Sequence, residues 1–301
     1  MKKDFLTIRE LSKTDIMTLI DRGLQLKTKG RNAERSLTGR ILGLMFDKAS
    51  TRTRVSFEVA MLRLGGQTLF LSRGDTQMSR DETIADTARV LSRYIDILAI
   101  RTYSQELVEE MARWSDIPVI NALTDLYHPC QVLSDLMTVK EKRGKLENLK
   151  IAWIGDGNNV AHSWINAASI IGFELVLSCP PGYHPLPDVM EGAGPNILLV
   201  DDPKAAADGA DVINTDVWAS MGQEDQRAKR ISDFNGFQVD KSLVSLGKPD
   251  VLVMHCLPAH REEEITSEVL DGPNSIVFDQ AENKLYLHEA LLEEMLIKRA
   301  R

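Results

Sequence analysis

Short apolar runs alternate with segments of helical periodicity along most of this 301-residue chain. In the first half, apolar residues spaced three and four apart separate the runs, a spacing typical of helices that pack one face against a core. This alternation predicts an open α/β domain with a parallel sheet. The runs of strand length lie at residues 41–46, 68–71, 96–100 and 118–120.

A second series of the same kind follows the lysine-rich segment at residues 140–150, with runs at 151–154, 174–177, 197–200, 212–214, 251–254 and 275–278. Residues 282–301 carry leucine and methionine at a broadly helical spacing. We predict two open parallel-sheet α/β domains with an active-site cleft between them and a C-terminal helix bridging them. The predicted boundaries are 1–139, joined by the helix at 284–301, and 140–283.

The composition narrows the class of protein. The formal net charge is -8, which disfavours binding to a nucleic-acid backbone, since that requires a basic face. We expect no membrane partner, because the N-terminus lacks the apolar core of a signal peptide and the apolar runs are only of strand length. Three cysteines without a CxxC pair argue against a disulfide framework and favour a reducing, cytoplasmic location.

The residues that follow each predicted strand carry the candidate chemistry, because ligands of parallel sheets bind beyond the carboxyl ends of the strands. The segment Ser50–Arg54 reads STRTR, follows the first strand and opens a helical pattern. Free backbone N–H groups at a helix start, together with an arginine, favour a small anion. The alternative is an ordinary helix cap with two solvated arginines.

The next strand ends supply further polar residues. Arg101 follows the third strand, and the segment HPCQ at residues 128–131 follows the fourth. Pro129 suits the first position of a helix, which would leave His128 at the cap and Gln131 in the first turn. Arg101 alone could be a surface residue and His128 alone a structural hydrogen-bonding group. Together with Arg52 they predict a crevice for an anion and an adjacent carbonyl.

The second half predicts different chemistry. The segment Gly155–Val160 begins like a dinucleotide fingerprint but has valine at the third glycine position, so a nicotinamide cofactor is weakly supported. Asn158 and Asn159 either hydrogen-bond a ligand or cap the following helix. Asp216 precedes a loop that ends at Gly222, and its carboxylate either binds an amino acid's ammonium group or belongs to a surface loop.

The segment HCLP at residues 255–258 allows three interpretations: a zinc site with His260, a cysteine nucleophile, or a neutral wall whose carbonyl groups receive an NH2 group. Adjacent side chains of an extended chain point in opposite directions, and the other cysteines are remote in sequence. Zinc is therefore the least favoured of the three, because its structural sites require a closed set of ligands. A nucleophile would need a base and a lowered pKa, which a sequence does not reveal.

Taken together and in this order, these segments resemble the ornithine carbamoyltransferases over nearly the whole chain. The STRTR and HPxQ motifs are shared with aspartate carbamoyltransferases and mark the half that binds carbamoyl phosphate. The motifs DxWxSMG, at residues 216–222, and HCLP are specific to ornithine as the acceptor. They disfavour two other acceptors, putrescine and acylated ornithine. A dehydrogenase and a non-catalytic binding protein are the rivals from other classes.

The resemblance implies transfer of the carbamoyl group of carbamoyl phosphate to the δ-amine of L-ornithine, giving L-citrulline and phosphate, in arginine biosynthesis or in catabolism in reverse. It implies no cofactor and no metal. Catalytic roles fall on Arg101, His128, Asp216 and Cys256. Carbamoyl phosphate would be bound by Ser50, Thr51, Arg52, Thr53, Gln77, Arg101, His128, Gln131, Cys256, Leu257 and Lys284. Ornithine would be bound by Asn158, Asp216, Ser220 and Met221.

Two further expectations come from the resemblance. Gln77 matches a residue that reaches carbamoyl phosphate from a neighbouring subunit, which implies a homotrimer with shared active sites. Lys284 stands where the family usually carries arginine. Lysine keeps the positive charge at this position but loses the planar fork of donors.

Overall fold

The computed structural model describes residues 4–30, 34–72, 82–219 and 224–297. The chain forms two compact units. Unit 1 comprises residues 1–137 and 282–301, and unit 2 comprises residues 138–281. In the described parts of the chain, every helix is too short or too polar to cross a lipid bilayer.

Unit 1 is built on a four-stranded sheet in which every neighbouring pair is parallel. The strands are β1 (Ile41–Phe46), β2 (Gln67–Ser72), β3 (Ile97–Arg101) and β4 (Val119–Leu123), in the spatial order β2-β1-β3-β4. The central strand β3 is buried throughout, whereas the edge strand β2 is partly exposed. Helices separate the strands: α1 (Lys13–Lys29), α2 (Arg52–Arg63), α3 (Ile84–Leu91), α4 (Gln105–Trp114) and α5 (Pro129–Arg143), the last of which continues into unit 2.

The ends of the early helices follow from local sequence. Ser12 and Asp15 form a capping box at the start of α1, because the Ser12 hydroxyl accepts the Asp15 N–H and the Asp15 carboxylate accepts the Ser12 N–H. Gly65 follows the end of α2 with a φ of 88°, a backbone conformation that glycine adopts without a steric penalty.

Unit 2 contains a five-stranded parallel sheet in the order β7-β6-β5-β8-β9. Its strands are β5 (Lys150–Ile154), β6 (Glu174–Ser178), β7 (Ile197–Val200), β8 (Val212–Thr215) and β9 (Leu252–His255). One core cluster gathers Ile154, Ile213 and Val253 from three strands around Trp218 and Phe234. The helices are α6 (Asn159–Ile171), α7 (Pro187–Glu191), α8 (Pro203–Ala207), α9 (Arg227–Asp233), α10 (Lys241–Val244), α11 (Ser267–Leu270) and α12 (Val277–Ile297).

The predicted strand at residues 275–278 is wrong. Ser275 makes only an isolated bridge to Val253, and α12 begins at Val277. The apolar run predicted a strand, but its residues lie on different faces of a helix. Val277 is buried, whereas Phe278 is 68% exposed. The C-terminal helix therefore starts seven residues before the predicted start at residue 284, within unit 2, and continues through unit 1.

The strand order of each sheet fixes where ligands can bind. In unit 1 the chain continues from β1 to β2 toward one edge of the sheet and from β3 to β4 toward the other. In unit 2 it continues from β5 through β6 to β7 toward one edge and from β8 to β9 toward the other. Such topological switch points leave a crevice at the carboxyl ends of the two strands. The turn Ser50–Arg54 and Arg101 lie at the first crevice, and Asn158 and Asp216 lie at the second.

Candidate active site

The start of α2 is an uncapped helix N-terminus. Thr51 precedes the helix with no side-chain cap, and the first turn contains no acidic residue. The first intrahelical bond runs from the Val55 N–H to the Thr51 carbonyl at 2.9 Å, so the N–H groups of Arg52, Thr53 and Arg54 have no partner within the helix. Three free donors and the positive end of the helix dipole make this turn suitable for a phosphate group.

The two arginines of this turn have different environments. Arg54 donates from Nε to Glu58 at 2.9 Å, and its guanidinium lies 3.7 Å from the ring centroid of Phe70. Arg52 has no ion pair with any residue in the described parts of the chain. Of the two, Arg52 is therefore the side chain available to an anion.

Arg101 and His128 supply the neighbouring polar groups. Arg101 is the last residue of β3, and His128 directly precedes Pro129, the first residue of α5 as predicted. Both side chains are buried. Burial holds the pKa of His128 well below its ordinary value, and the positive charges of Lys284 and Arg101 lower it further. The imidazole is therefore neutral and donates a single hydrogen bond.

Gln131 lies between a cation and an anion. The Lys284 ammonium donates to Gln131 Oε1 at 2.8 Å, and Gln131 Nε2 donates to Asp135 Oδ1 at 2.7 Å. All three side chains are buried. Lys284, on α12, thus belongs to the same cluster of unit 1 as His128 and Gln131. Cys130, next to His128, is inert, because burial raises the pKa of its thiol to about 12.

In unit 2, Asp216 is the centre of the candidate site. Asn158 donates from Nδ2 to Asp216 Oδ2 at 2.8 Å, and the Cys256 thiol donates to Asp216 Oδ1 at 3.0 Å. Asn158 also caps α6, because its Oδ1 accepts the N–H groups of Val160 and Ala161. The interpretation of Asn158 as a helix cap is therefore confirmed, whereas its contact with a ligand stays a prediction. The arrangement presents a carboxylate of fixed orientation beside a thiol.

Asp156 supplies a second carboxylate, close enough for the charge of Asp216 to influence it. Asp156 is buried, and burial raises its pKa to about 6 against the attraction of Arg230. Arg230 donates to Asp156 Oδ2 at 3.0 Å and to the carbonyl oxygen of Trp218 at 2.6 Å. Arg230 thereby fixes the first residues after Asp216 to the core of unit 2.

The segment after β9 is held by a buried His–Glu pair. His255 Nδ1 accepts the Leu257 N–H at 2.9 Å, so Nε2 carries the ring hydrogen toward Glu264 Oε1, 3.0 Å away. Both side chains are fully buried. Leu257 has a φ of 56°, a left-handed conformation that is costly for a residue with a Cβ. The bond to His255 stabilises it beside Cys256.

The contacts of His255 and Cys256 discriminate between the three interpretations of this segment. The sequence argument that His255 and Cys256 point apart is wrong, because their ligand atoms and a carboxylate oxygen of Asp216 lie within 4.8 Å of one another. Both ring nitrogens of His255 are nevertheless occupied by Leu257 and Glu264, so a metal would have to break one of these bonds. The Cys256 sulfur carries its hydrogen toward a carboxylate, the reverse of what a nucleophilic thiolate needs.

Three predicted site residues, Gln77, Ser220 and Met221, lie outside the described residues. The other predicted residues fall into two groups, one at the crevice of each sheet. Sequence reasoning missed several supporting residues. Asp135 had a usable signal, since it lies four residues after Gln131 on one helix. The others, Arg230, Glu264, Ser56 and His288, act through long-range contacts that no local pattern reveals.

The fold and these residues define a two-unit α/β protein with cationic and N–H donors at the crevice of unit 1 and a fixed carboxylate at the crevice of unit 2. Family models match both units. The model described as the carbamoyl-P binding domain of aspartate/ornithine carbamoyltransferase matches residues 3–141, and that of the Asp/Orn binding domain matches residues 147–295.

Curated and solved relatives agree with this. An ornithine carbamoyltransferase of Syntrophotalea carbinolica is 51% identical, over 98% of this chain and 100% of the relative. One of Desulfotalea psychrophila is 53% identical, over 94% and 95% respectively. The structure of ornithine carbamoyltransferase from Pyrococcus furiosus superposes with a TM-score of 0.94 at 47% identity, covering 97% of this chain and 96% of that one. The chain belongs to the aspartate/ornithine carbamoyltransferase family.

Proposed function

We propose that this chain transfers the carbamoyl group of carbamoyl phosphate to the δ-amine of L-ornithine, giving L-citrulline and phosphate, as a step of arginine biosynthesis. The observation that carries the choice of acceptor is the contact of Asp216 with Cys256 and Asn158, in the unit that the Asp/Orn binding domain model matches. An oriented carboxylate binds the ammonium group of an amino acid, whereas it would repel the second carboxylate of aspartate.

Carbamoyl phosphate is an anion, and unit 1 offers it matched donors. The phosphate binds at the N-terminus of α2, where Arg52 adds its guanidinium to the free N–H groups. Arg101, His128 and Gln131 contact the carbamoyl group, with Lys284 beside Gln131. The complete proposed set is Ser50, Thr51, Arg52, Thr53, Gln77, Arg101, His128, Gln131, Cys256, Leu257 and Lys284.

Ornithine binds in unit 2 through Asn158, Asp216, Ser220 and Met221. An alkyl ammonium has a pKa of about 10.4, so only about a thousandth or less of the δ-amine is neutral near pH 7. The neutral form is the nucleophile, and its lone pair forms the new C–N bond to the carbamoyl carbon. This bond requires the two substrates to be in contact.

Charge then develops on the carbonyl oxygen of the tetrahedral intermediate. We assign the donors to this oxygen to Arg101, Thr53 and neutral His128, and each such donor typically contributes about 3 to 4 kcal/mol. Collapse of the intermediate restores the C=O bond and expels phosphate with the electrons of the broken C–O bond, and the extra proton of the nitrogen passes to the departing phosphate oxygen. Arg52 and the helix end stabilise the charge of the departing phosphate. Asp216 and Cys256 orient the amine.

The assembly we propose is a homotrimer with shared active sites, in which Gln77 reaches the neighbouring site. Unit 1 offers a surface for it: Val55 and Leu62 of α2 and Leu69 of the edge strand β2 are each more than 40% exposed. Exposed apolar side chains beside an unpaired strand edge favour contact with another subunit. A cytoplasmic location agrees with three free cysteines.

Substitutions of the two arginines in the turn Ser50–Arg54, here called the phosphate turn, test the proposal. We expect Arg52→Ala to lower citrulline formation from carbamoyl phosphate and ornithine by at least about a hundredfold. Arg54→Ala, which removes an ion pair worth under about 1 kcal/mol, should keep turnover near that of the wild type. Equal turnover of Arg52→Ala and the wild type would refute the phosphate role of this turn.

A further inference from the structure

His288 is a fully buried side chain to which neither the sequence motifs nor the proposed chemistry gives a role. It lies on α12 and stacks on Phe57 of α2, with ring centroids 3.6 Å apart and planes 11° apart. Stacking against a buried ring fixes the plane of the imidazole. The two ring nitrogens can therefore reach only a narrow set of partners.

One of these nitrogens contacts the phosphate turn through a serine. His288 Nδ1 lies 3.0 Å from Ser56 Oγ, and the Ser56 hydroxyl donates to the Thr53 carbonyl oxygen at 3.1 Å. A hydroxyl has a single hydrogen, so with that hydrogen on Thr53 the Ser56 oxygen accepts from Nδ1–H. The relay runs from α12 through Ser56 to the first turn of α2.

The environment of the other nitrogen supports this tautomer. Nε2 is buried without a hydrogen-bond partner among the residues that the structure describes. A hydrogen there would leave a buried donor unsatisfied. With the hydrogen on Nδ1, the N–H of the ring has Ser56 as its acceptor. Burial and the Lys284 charge hold the pKa of His288 well below its ordinary value, so the ring is neutral.

We propose that His288 is a positioning residue that aims a backbone donor of α2 at the phosphate of carbamoyl phosphate. The inference rests on the proposed function. The Thr53 carbonyl and the Arg54 N–H belong to one planar peptide group and point in opposite directions. Holding the carbonyl along the helix directs that N–H out of the N-terminus, where it is one of the three donors without a helical partner.

The contribution is that of one neutral hydrogen bond that orients another. We expect its loss to weaken binding of carbamoyl phosphate about three- to tenfold and to leave the KM for ornithine unchanged. A substitution that only weakened the packing of α12 would instead raise the KM values for both carbamoyl phosphate and ornithine. The split between the two KM values thus separates positioning from a purely structural role.

Two substitutions at His288 make a matched pair. His288→Asn places an amide nitrogen near the position of Nδ1 and can still donate to Ser56, whereas His288→Gln reaches toward the position of Nε2. We expect His288→Gln and Ser56→Ala each to raise the KM for carbamoyl phosphate three- to tenfold, with no further increase in the double variant. His288→Asn should stay within about twofold of the wild type.

Glu293→Gln is the control for helix stability, because Glu293 lies on α12 and pairs with Arg22 at 2.7 Å, away from the relay. An unchanged KM for carbamoyl phosphate in His288→Gln, or a parallel rise in both KM values like that of a destabilised control, would overturn the proposal. The 15N spectrum of the wild-type imidazole tests it independently, since an Nε2–H tautomer contradicts the relay.

The dissociation constant of inorganic phosphate, measured on the same variants, separates this inference from the proposed function. If the wild type formed no citrulline, the proposed function would fail, yet a three- to tenfold weaker phosphate affinity of His288→Gln and Ser56→Ala would still support the relay. Equal phosphate affinity in all variants would contradict it whatever the activity.

Discussion

Cys256 donates its thiol hydrogen to Asp216 Oδ1 at 3.0 Å, while Asn158 occupies the other carboxylate oxygen at 2.8 Å. Two residues that lie after two different strands thus fix one carboxylate. The backbone N–H of Val217 adds a further bond to Oδ1 at 2.8 Å. Because each oxygen accepts from a donor, the carboxylate has a single orientation.

Substitutions of Cys256 should show whether this orientation matters. Cys256→Ser keeps a donor to Asp216, whereas Cys256→Ala removes it. A hydrogen bond to a charged group contributes about 2 kcal/mol, so we expect Cys256→Ala to lower kcat/KM for ornithine about thirtyfold. Cys256→Ser should lose less than tenfold. Steady-state kinetics provide the measurement, and equal losses in the two variants would mean that the thiol acts in another way.

His128 should remain neutral across the physiological range. Its pKa lies well below the ordinary 6.5, so the ring is deprotonated at and above that pH and gains a proton only in more acidic solution. We expect the His128 resonance, assigned with a His128→Gln variant, not to titrate between pH 6 and 8 in the NMR spectrum. A titration with a midpoint near 6.5 would contradict the burial argument.

Lys284 should be needed for its charge. It donates to Gln131, whose amide is in turn bound by Asp135. We expect Lys284→Met to raise the KM for carbamoyl phosphate at least about tenfold, because a charge-assisted bond is lost and Gln131 keeps an unsatisfied oxygen. Lys284→Arg keeps the charge but enlarges a buried side chain. Its KM for carbamoyl phosphate should lie between those of the wild type and the methionine variant. A wild-type KM in the methionine variant would exclude Lys284 from the site.

Glu289 links stability to pH. The side chain is fully buried beside Arg63, 2.9 Å away, and burial raises its pKa from 4.5 to about 7. Between these values the folded state binds more protons than the unfolded state, so the free energy of unfolding falls as pH rises from about 5 to 7. We expect the free energy of unfolding of Glu289→Gln to lack this slope. At pH 8 it should exceed that of the wild type by about 1 to 3 kcal/mol.

Urea unfolding of the wild type and Glu289→Gln at pH 5.5, 7 and 8.5 measures this difference. Comparing the two proteins removes the contributions of the other titrating groups. If the wild type gained stability relative to the variant with rising pH, the ion pair with Arg63 would outweigh burial, and the assigned direction would be wrong.

Local patterns sufficed for most of the fold. Period and residue type placed β1 at residues 41–46 as observed, and Pro129 marked the start of α5. They failed at residues 275–278, where an apolar run divides between a buried and an exposed face of α12. A short apolar run fits a strand and a helix equally well, and only tertiary packing decides between them.

The sequence predicts which residues belong to the candidate site, but it does not predict which of them contact one another. Asp216 and Cys256 lie 40 residues apart, and Gln131 and Lys284 lie 153 apart. Strand order brings the first pair together, and a C-terminal helix that returns to unit 1 brings the second. Neither relation has a local signature. For that reason His288, which acts through Ser56, could not be identified from the sequence.

The most direct test of the proposed acceptor is carbamoyl transfer from carbamoyl phosphate with L-ornithine, putrescine, N-acetylornithine and aspartate offered in parallel to the purified protein. We predict citrulline and phosphate in equal amounts with ornithine, and a kcat/KM for the other three amines lower by at least about a hundredfold, because each lacks a group that the site around Asp216 binds or carries one that it repels. Turnover of another amine in preference to ornithine would contradict the assignment of the Asp216 site, and no transfer to any of the four would contradict the enzymatic function itself.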